Sequence, residues 1–148
     1  MLKIKFHLAI IACLAVTTMF WSCEAAEDEV IPENPNYMVL LDYDLMVMRK
    51  DLGRSTWSGA CKMCEELRLG GFEDWRLPTQ GELAILYKER DVIGGFDTFS
   101  NYQYWSSTPH SISGFYVYMS FSDGTFGRYI NATNHQPLSV RCVRSVHR

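Results

Sequence analysis

Cys61, Cys64 and Cys142 are the side chains of this chain with the most evident chemistry. Cys61-Lys62-Met63-Cys64 has the C-x-x-C spacing used by thiol–disulfide redox centres and by zinc sites. Neither kind of site is completed nearby. There is no second C-x-x-C, no adjacent histidine cluster and no thioredoxin-like strand before the pair. In an oxidising compartment a disulfide is favoured over a pair of free thiols, and three cysteines leave one sulfur over.

The other reactive side chains are dispersed. His110, His135 and His147 do not stand at ligand spacing from one another. No carboxylate pair, Ser-His-Asp arrangement or Gly-rich phosphate loop is recognisable. We therefore expect no catalysis, no cofactor and no metal. The chain has 14 Lys and Arg against 17 Asp and Glu, a net charge of −3, and its basic residues form no run. That balance gives no electrostatic footprint for nucleic acid.

Cys23 carries a different chemistry. Lys3 and Lys5 give a positive start, and Leu8 to Phe20 form an apolar run too short to span a bilayer as a stable helix. The run closes on Met19-Phe20-Trp21-Ser22-Cys23, with a small residue directly before the cysteine. This resembles the lipobox of bacterial lipoproteins, in which the cysteine receives fatty acyl chains such as palmitate and becomes the first mature residue. The resemblance implies a signal peptide at 1–22 and membrane attachment through Cys23. It places the protein in the cell envelope as an outer-membrane lipoprotein. Residues 23–36, with five acids and two prolines, read as a flexible tether. Acids just after the lipid cysteine also resemble a surface-export signal of some Gram-negative lipoproteins.

A single α+β domain is expected over 37–148, long enough for one core. Met38–Leu41 and Leu45–Met48 read as paired strands. Ser55 or Thr56 can cap a helix to about Leu69, with Trp57, Ala60, Cys61, Cys64 and Leu67 on one face. Gly70-Gly71 would stop it. Trp75–Pro78 is extended, with Trp75 and Leu77 on one side and Arg76 on the other, free for a structural ion pair. Thr79 with Glu82 fits a capping box opening a helix to about Arg90, followed by a loop over 91–102. Tyr104–Thr108 is a strand. Phe115, Val117, Met119 and Phe121 alternate with Tyr116, Tyr118 and Ser120, the period of a half-buried strand. Ser122-Asp123-Gly124 turns it into Thr125–Ile130, and Ser139–Val143 reads as one closing strand.

Three pieces in order carry a resemblance. They are Trp57-x-x-Ala60-x-x-x-Cys64 with Leu67; Gly71-Phe72-Glu73-Asp74-Trp75-Arg76-Leu77-Pro78-Thr79 with Glu82 and Leu83; and Tyr104-Trp105-Ser106-Ser107-Thr108, then Phe121-Ser122-Asp123-Gly124 and Val140-Arg141-Cys142-Val143-Arg144. Together they resemble the Lcl C-terminal domain family, named after a collagen-like adhesin, over about residues 40–145. That family is a relative of formylglycine-generating-enzyme-like domains within the broad C-type-lectin-like fold. The resemblance implies two helices packed on short, mostly antiparallel, irregular β-sheets with long loops. It implies a Cys64–Cys142 disulfide, leaving Cys61 as a buried free thiol; Cys61, one turn earlier on the same face, could compete for Cys142. The oxidative branch of these relatives uses a late pair of cysteines to hold copper, and here only Cys142 falls late.

The fold so implied offers a rigid base with irregular loops, which suits recognition. The loops would be 91–103, 108–114 and 131–138, flanked by Tyr102, Tyr104, Tyr116, Tyr118 and Tyr129. Tyrosine combines flat apolar area with a hydroxyl, which fits a glycan or a protein surface. The same rings could instead cover the sheet beneath a loop or a partner. Calcium-bridged sugar binding is not expected. Gln136-Pro137-Leu138 has leucine where the Glu-Pro-Asn or Gln-Pro-Asp signature of sugar-binding C-type lectins has a polar oxygen ligand. The expected function is recognition or adhesion; the alternatives are a structural or tip subunit of a surface assembly and a relative of formylglycine-generating oxidoreductases.

Overall fold

Apolar alternation in Leu45-Met46-Val47-Met48 sets the organisation of the molecule, because both faces of this strand are buried. Met46 and Met48 enter one core with Ala60, Cys64, Trp75, Leu77, Trp105, Leu138 and Val140. Leu45 and Val47 enter a second core with Leu83, Leu86, Ile93, Tyr104, Met119 and Phe121. A period-two strand between two apolar layers divides its side chains in this way. The computed structural model describes residues 34–97, 103–112, 114–130 and 137–147. All of them belong to one compact unit, Pro32–Arg148.

In chain order the elements are β1 (Tyr37–Leu40), β2 (Leu45–Met48), β3 (Arg54–Ser55), α1 (Trp57–Glu65), α2 (Gln80–Lys88), α3 (Arg90–Ile93), β4 (Gln103–Pro109), β5 (Phe115–Ser120), β6 (Phe126–Ile130), β7 (Leu138–Ser139) and β8 (Val143–Ser145). A 3-10 turn at Leu41–Tyr43 joins β1 to β2. One sheet has the order β1-β2-β8 and the other β3-β7-β4-β5-β6. All ladders are antiparallel except β4 with β7, which is parallel. This is a mixed α+β domain with few helices and open sheets.

The hairpin of β1 and β2, the extended Trp75–Pro78 segment and the β5–β6 hairpin lie where the residue pattern places them. Three expectations need correction. First, α1 ends at Glu65 and not near Leu69, because Leu69 and Phe72 pair across Gly70-Gly71. Both glycines have positive φ, 66° and 82°, as a two-residue reversal requires. Second, the loop expected over 91–102 begins with a helical turn, α3, which sends Ile93 into the second core. Third, the closing strand is two strands in different sheets. Leu138–Ser139 pairs with β3 and β4, Val143–Ser145 pairs with β2, and Val140–Cys142 crosses between them.

The crossing is held covalently and electrostatically. Cys64 and Cys142 form a disulfide across 78 residues with Cα atoms 5.6 Å apart, and both are fully buried. Cys61 stays free but half-buried, not buried as expected. Burial and the neighbouring Glu65 carboxylate push its thiol up to about 11, so it is protonated at neutral pH and a poor nucleophile.

At the start of α2, Glu82 has two jobs. Its carboxylate accepts from the Thr79 N–H at 2.7 Å while Thr79 accepts from the Glu82 N–H, completing the capping box. The same carboxylate takes a two-pronged bond from Arg76, at 2.7 Å on each oxygen. Partial burial opposes the charged form, but the bonds from Arg76 and Thr79 outweigh it and hold the Glu82 carboxyl below its ordinary value. A depressed folded-state value means this stabilisation is complete above about pH 4.5, the unfolded range, and is lost as pH falls through the lower folded value. We expect Glu82→Gln to flatten the stability–pH curve below about pH 4.5. Urea midpoints measured from pH 3 to 7 check this, and an unchanged acid slope would refute it.

Candidate functional site

Thr56 fixes the first component of the site. Its hydroxyl accepts from the Gly59 N–H at 3.3 Å, caps α1 and sets Trp57 on the first turn. The Trp57 indole N–H donates to the Ser106 carbonyl at 2.8 Å, locking the ring over β4. Tyr116 of β5 then stacks on it, ring centroids 3.6 Å apart and planes 19° from parallel. The Trp105 N–H donates to the Ser55 carbonyl at 2.8 Å, and Trp105 supports Tyr129 edge-on at 6.1 Å. Indoles with satisfied donors make a stiff floor.

Sheet register supplies the rest. Tyr116 faces Tyr129 across the β5–β6 ladder, and Tyr118 faces Gly127. Residues two apart on a strand share a face, so these positions make one row. Tyr118 and Tyr129 stack at 4.7 Å and 18°. Tyr118 has room because its partner is glycine: a Cβ at Gly127 would collide with the hydroxyl end of the Tyr118 ring. Burial first, then the Tyr129 hydroxyl and the Asp123 carboxylate, raise the Tyr118 phenol above its ordinary value. Trp57, Tyr116, Tyr118 and Tyr129 are each half-exposed, so one side of the row faces solvent.

The structure thus brings together three of the five tyrosines expected at a binding face. Tyr104 is a correction. It is fully buried, on the opposite side of β4 from Trp105 and in the second core. Its hydroxyl donates to Asp51 at 2.8 Å and accepts from the Asp97 N–H at 2.6 Å. Burial, followed by the Asp51 charge, raises that phenol far above its ordinary value, so it is a neutral core group. Tyr102 and Cys23 lie outside the described residues. Ser106, Ser107 and Thr108 serve the backbone. Ser106 Oγ accepts from the Thr108 N–H, Ser107 Oγ donates to the Pro78 carbonyl, and Thr108 Oγ1 accepts from the Gln80 N–H.

Two arginines escaped assignment. Arg141, with a fully buried side chain, donates to Asp51 at 2.6 Å and to the carbonyls of Met48 and Gly95 at 2.7 and 2.6 Å, with Phe96 beneath its guanidinium at 4.0 Å. Arg144 holds Asp74 at 2.7 Å over the Phe72 ring. The available signal was two charges inside the otherwise apolar segment Val140–Arg144, which burial obliges to be paired. Among the described residues no three His, Cys, Asp or Glu side chains gather as a metal site, and no helix is long and apolar enough to cross a membrane.

A two-sheet α+β scaffold presenting a half-exposed aromatic row defines the class. The family described as the Lcl C-terminal domain matches residues 15–144, and the chain belongs to that family. No curated protein matches it.

Proposed function

We propose that this protein is a cell-envelope lipoprotein, anchored in the outer membrane through acylated Cys23, whose domain recognises a glycan or protein surface without catalysis. Residues 1–22 serve as the signal peptide, 23–36 as the acidic tether and 37–148 as the recognition domain, a C-type-lectin-like relative of the formylglycine-generating-enzyme-like domains. The observation that carries the recognition reading is the half-exposed row of Trp57, Tyr116, Tyr118 and Tyr129, prearranged on bonded indoles. A preordered aromatic face loses little conformational freedom on binding. Against the oxidative alternative stands the cysteine count: Cys142 is bonded to Cys64, and no other late cysteine exists to form a copper pair.

Binding of the full-length protein to a glycan array and to extracellular-matrix proteins tests this reading. We expect Tyr118→Ala to weaken binding about tenfold, the loss of one ring contact worth about 1.4 kcal/mol. Gly127→Ala should do the same by displacing the Tyr118 ring while removing no tyrosine from the chain. Binding that survives both changes would sink the aromatic face as the site. Mass spectrometry of the mature protein checks the anchor, and a chain still beginning at Met1 would refute it.

A further inference from the structure

The opposite face of the β5–β6 hairpin carries a second feature that is independent of the tyrosine row. Side chains of Val117, Phe126 and Arg128 alternate away from Tyr116, Tyr118 and Tyr129. With Gln80, His110 and Gly127 they line a cleft of about 250 Å³. Phe126 is 41% exposed there, a large ring left in solvent on a strand otherwise able to bury it.

Three side chains in this cleft have donors with no partner among the described residues. Arg128 makes neither a hydrogen bond nor an ion pair, whereas Arg76, Arg141 and Arg144 each hold a carboxylate. Gln80 uses its backbone N–H on Thr108, and its side-chain amide bonds to nothing. His110 accepts the Ile112 N–H at Nδ1, 3.1 Å away, which leaves the ring proton on Nε2 as an unused donor. No acidic side chain among the described residues lines the cleft. The site therefore offers a guanidinium fork, an amide and an imidazole N–H around an aromatic ring and a valine, with no fixed anion to satisfy them.

We propose that this cleft binds the carboxylate of a small ligand whose C–H or apolar face rests on Phe126. Arg128 makes the paired bond that planar carboxylates accept, and Gln80 and His110 donate to the remaining lone pairs. The volume lies below the roughly 300–1,000 Å³ of pockets that enclose drug-sized molecules, so the ligand is about one sugar or one amino acid in size. A sugar acid and a C-terminal amino acid share this chemistry.

NMR titration of the full-length protein separates the sources. The probes are D-glucuronate against D-glucose, and N-acetyl-L-phenylalanine against its amide. We expect at least one acid to bind saturably with shifts at Phe126 and Arg128, and its neutral counterpart to bind at least about tenfold more weakly, as loss of a charge-assisted pair requires. The acid that binds identifies the source. Arg128→Gln should erase the preference for the acid, and Phe126→Ala should weaken the remaining binding. Both residues are exposed, so an unchanged melting temperature certifies the fold. Tyr118→Ala should leave this binding intact, which keeps the cleft's failure distinct from that of the tyrosine row. Equal affinity for acid and neutral probe, insensitivity to Arg128→Gln, or no saturable shift with either acid at 10 mM (~2.7 kcal/mol of binding) would overturn the proposal.

Discussion

Replacing Cys142 with alanine is expected to lower the melting temperature of the full-length protein by on the order of 15 °C. The bridge to Cys64 spans 78 residues, and both sulfurs sit in the core shared by α1, β2 and the Val140–Cys142 crossing. In the chain-entropy account a closed loop of that length contributes about 4 kcal/mol by restricting the unfolded chain. Wild-type protein melted under reductant should reproduce the shift, because the same constraint is removed. Cys61→Ala should leave the midpoint nearly unchanged, since that thiol bonds to no other cysteine. A midpoint within a few degrees of wild type for Cys142→Ala would show that packing alone holds the crossing.

Asp51→Ala is the second large effect, and we expect it to cost about 3–5 kcal/mol in urea unfolding. The change leaves the Arg141 guanidinium buried with only carbonyl partners and removes the acceptor of the Tyr104 hydroxyl. It also frees the Asp97 N–H from Asp51, 3.0 Å away, so amide exchange should accelerate over 94–97 as well. The exposed Lys62–Glu66 pair is a useful contrast, since ion pairs in solvent contribute about 0–1 kcal/mol. Asp51→Ala combined with Arg141→Met should recover part of the loss, because two members of one network do not act additively. A cost below about 1 kcal/mol for Asp51→Ala would mean that water reaches Arg141 and solvates it.

How far the residues announce the structure depends on how local the physics is. Thr79 and Glu82 lie three apart and bond each other, so the capping box was legible without any tertiary information. The same holds for Tyr116 and Tyr118, whose parity placed them opposite Val117 and Met119. The Cys64–Cys142 bridge was legible only through the family resemblance, since spacing by itself left Cys61 as a competitor. Tyr104 was misjudged because β4 is buried on both sides, so adjacency to a loop says nothing about exposure. The end of α1 and the splitting of Ser139–Val143 were set by distant partners, namely Phe72 for the first and β2 and β3 for the second. The cleft around Arg128 joins α2, β5 and β6, and no window of sequence contains it.

β2 stands between the strand that precedes it and the last strand of the domain, and β3 waits likewise for Leu138–Ser139. Without Val143–Ser145, the strand Leu45–Met48 would keep one bare, water-averse edge. A chain broken off just short of those three residues would keep every helix and both hairpins yet present a sticky ribbon to proteases and to its own copies.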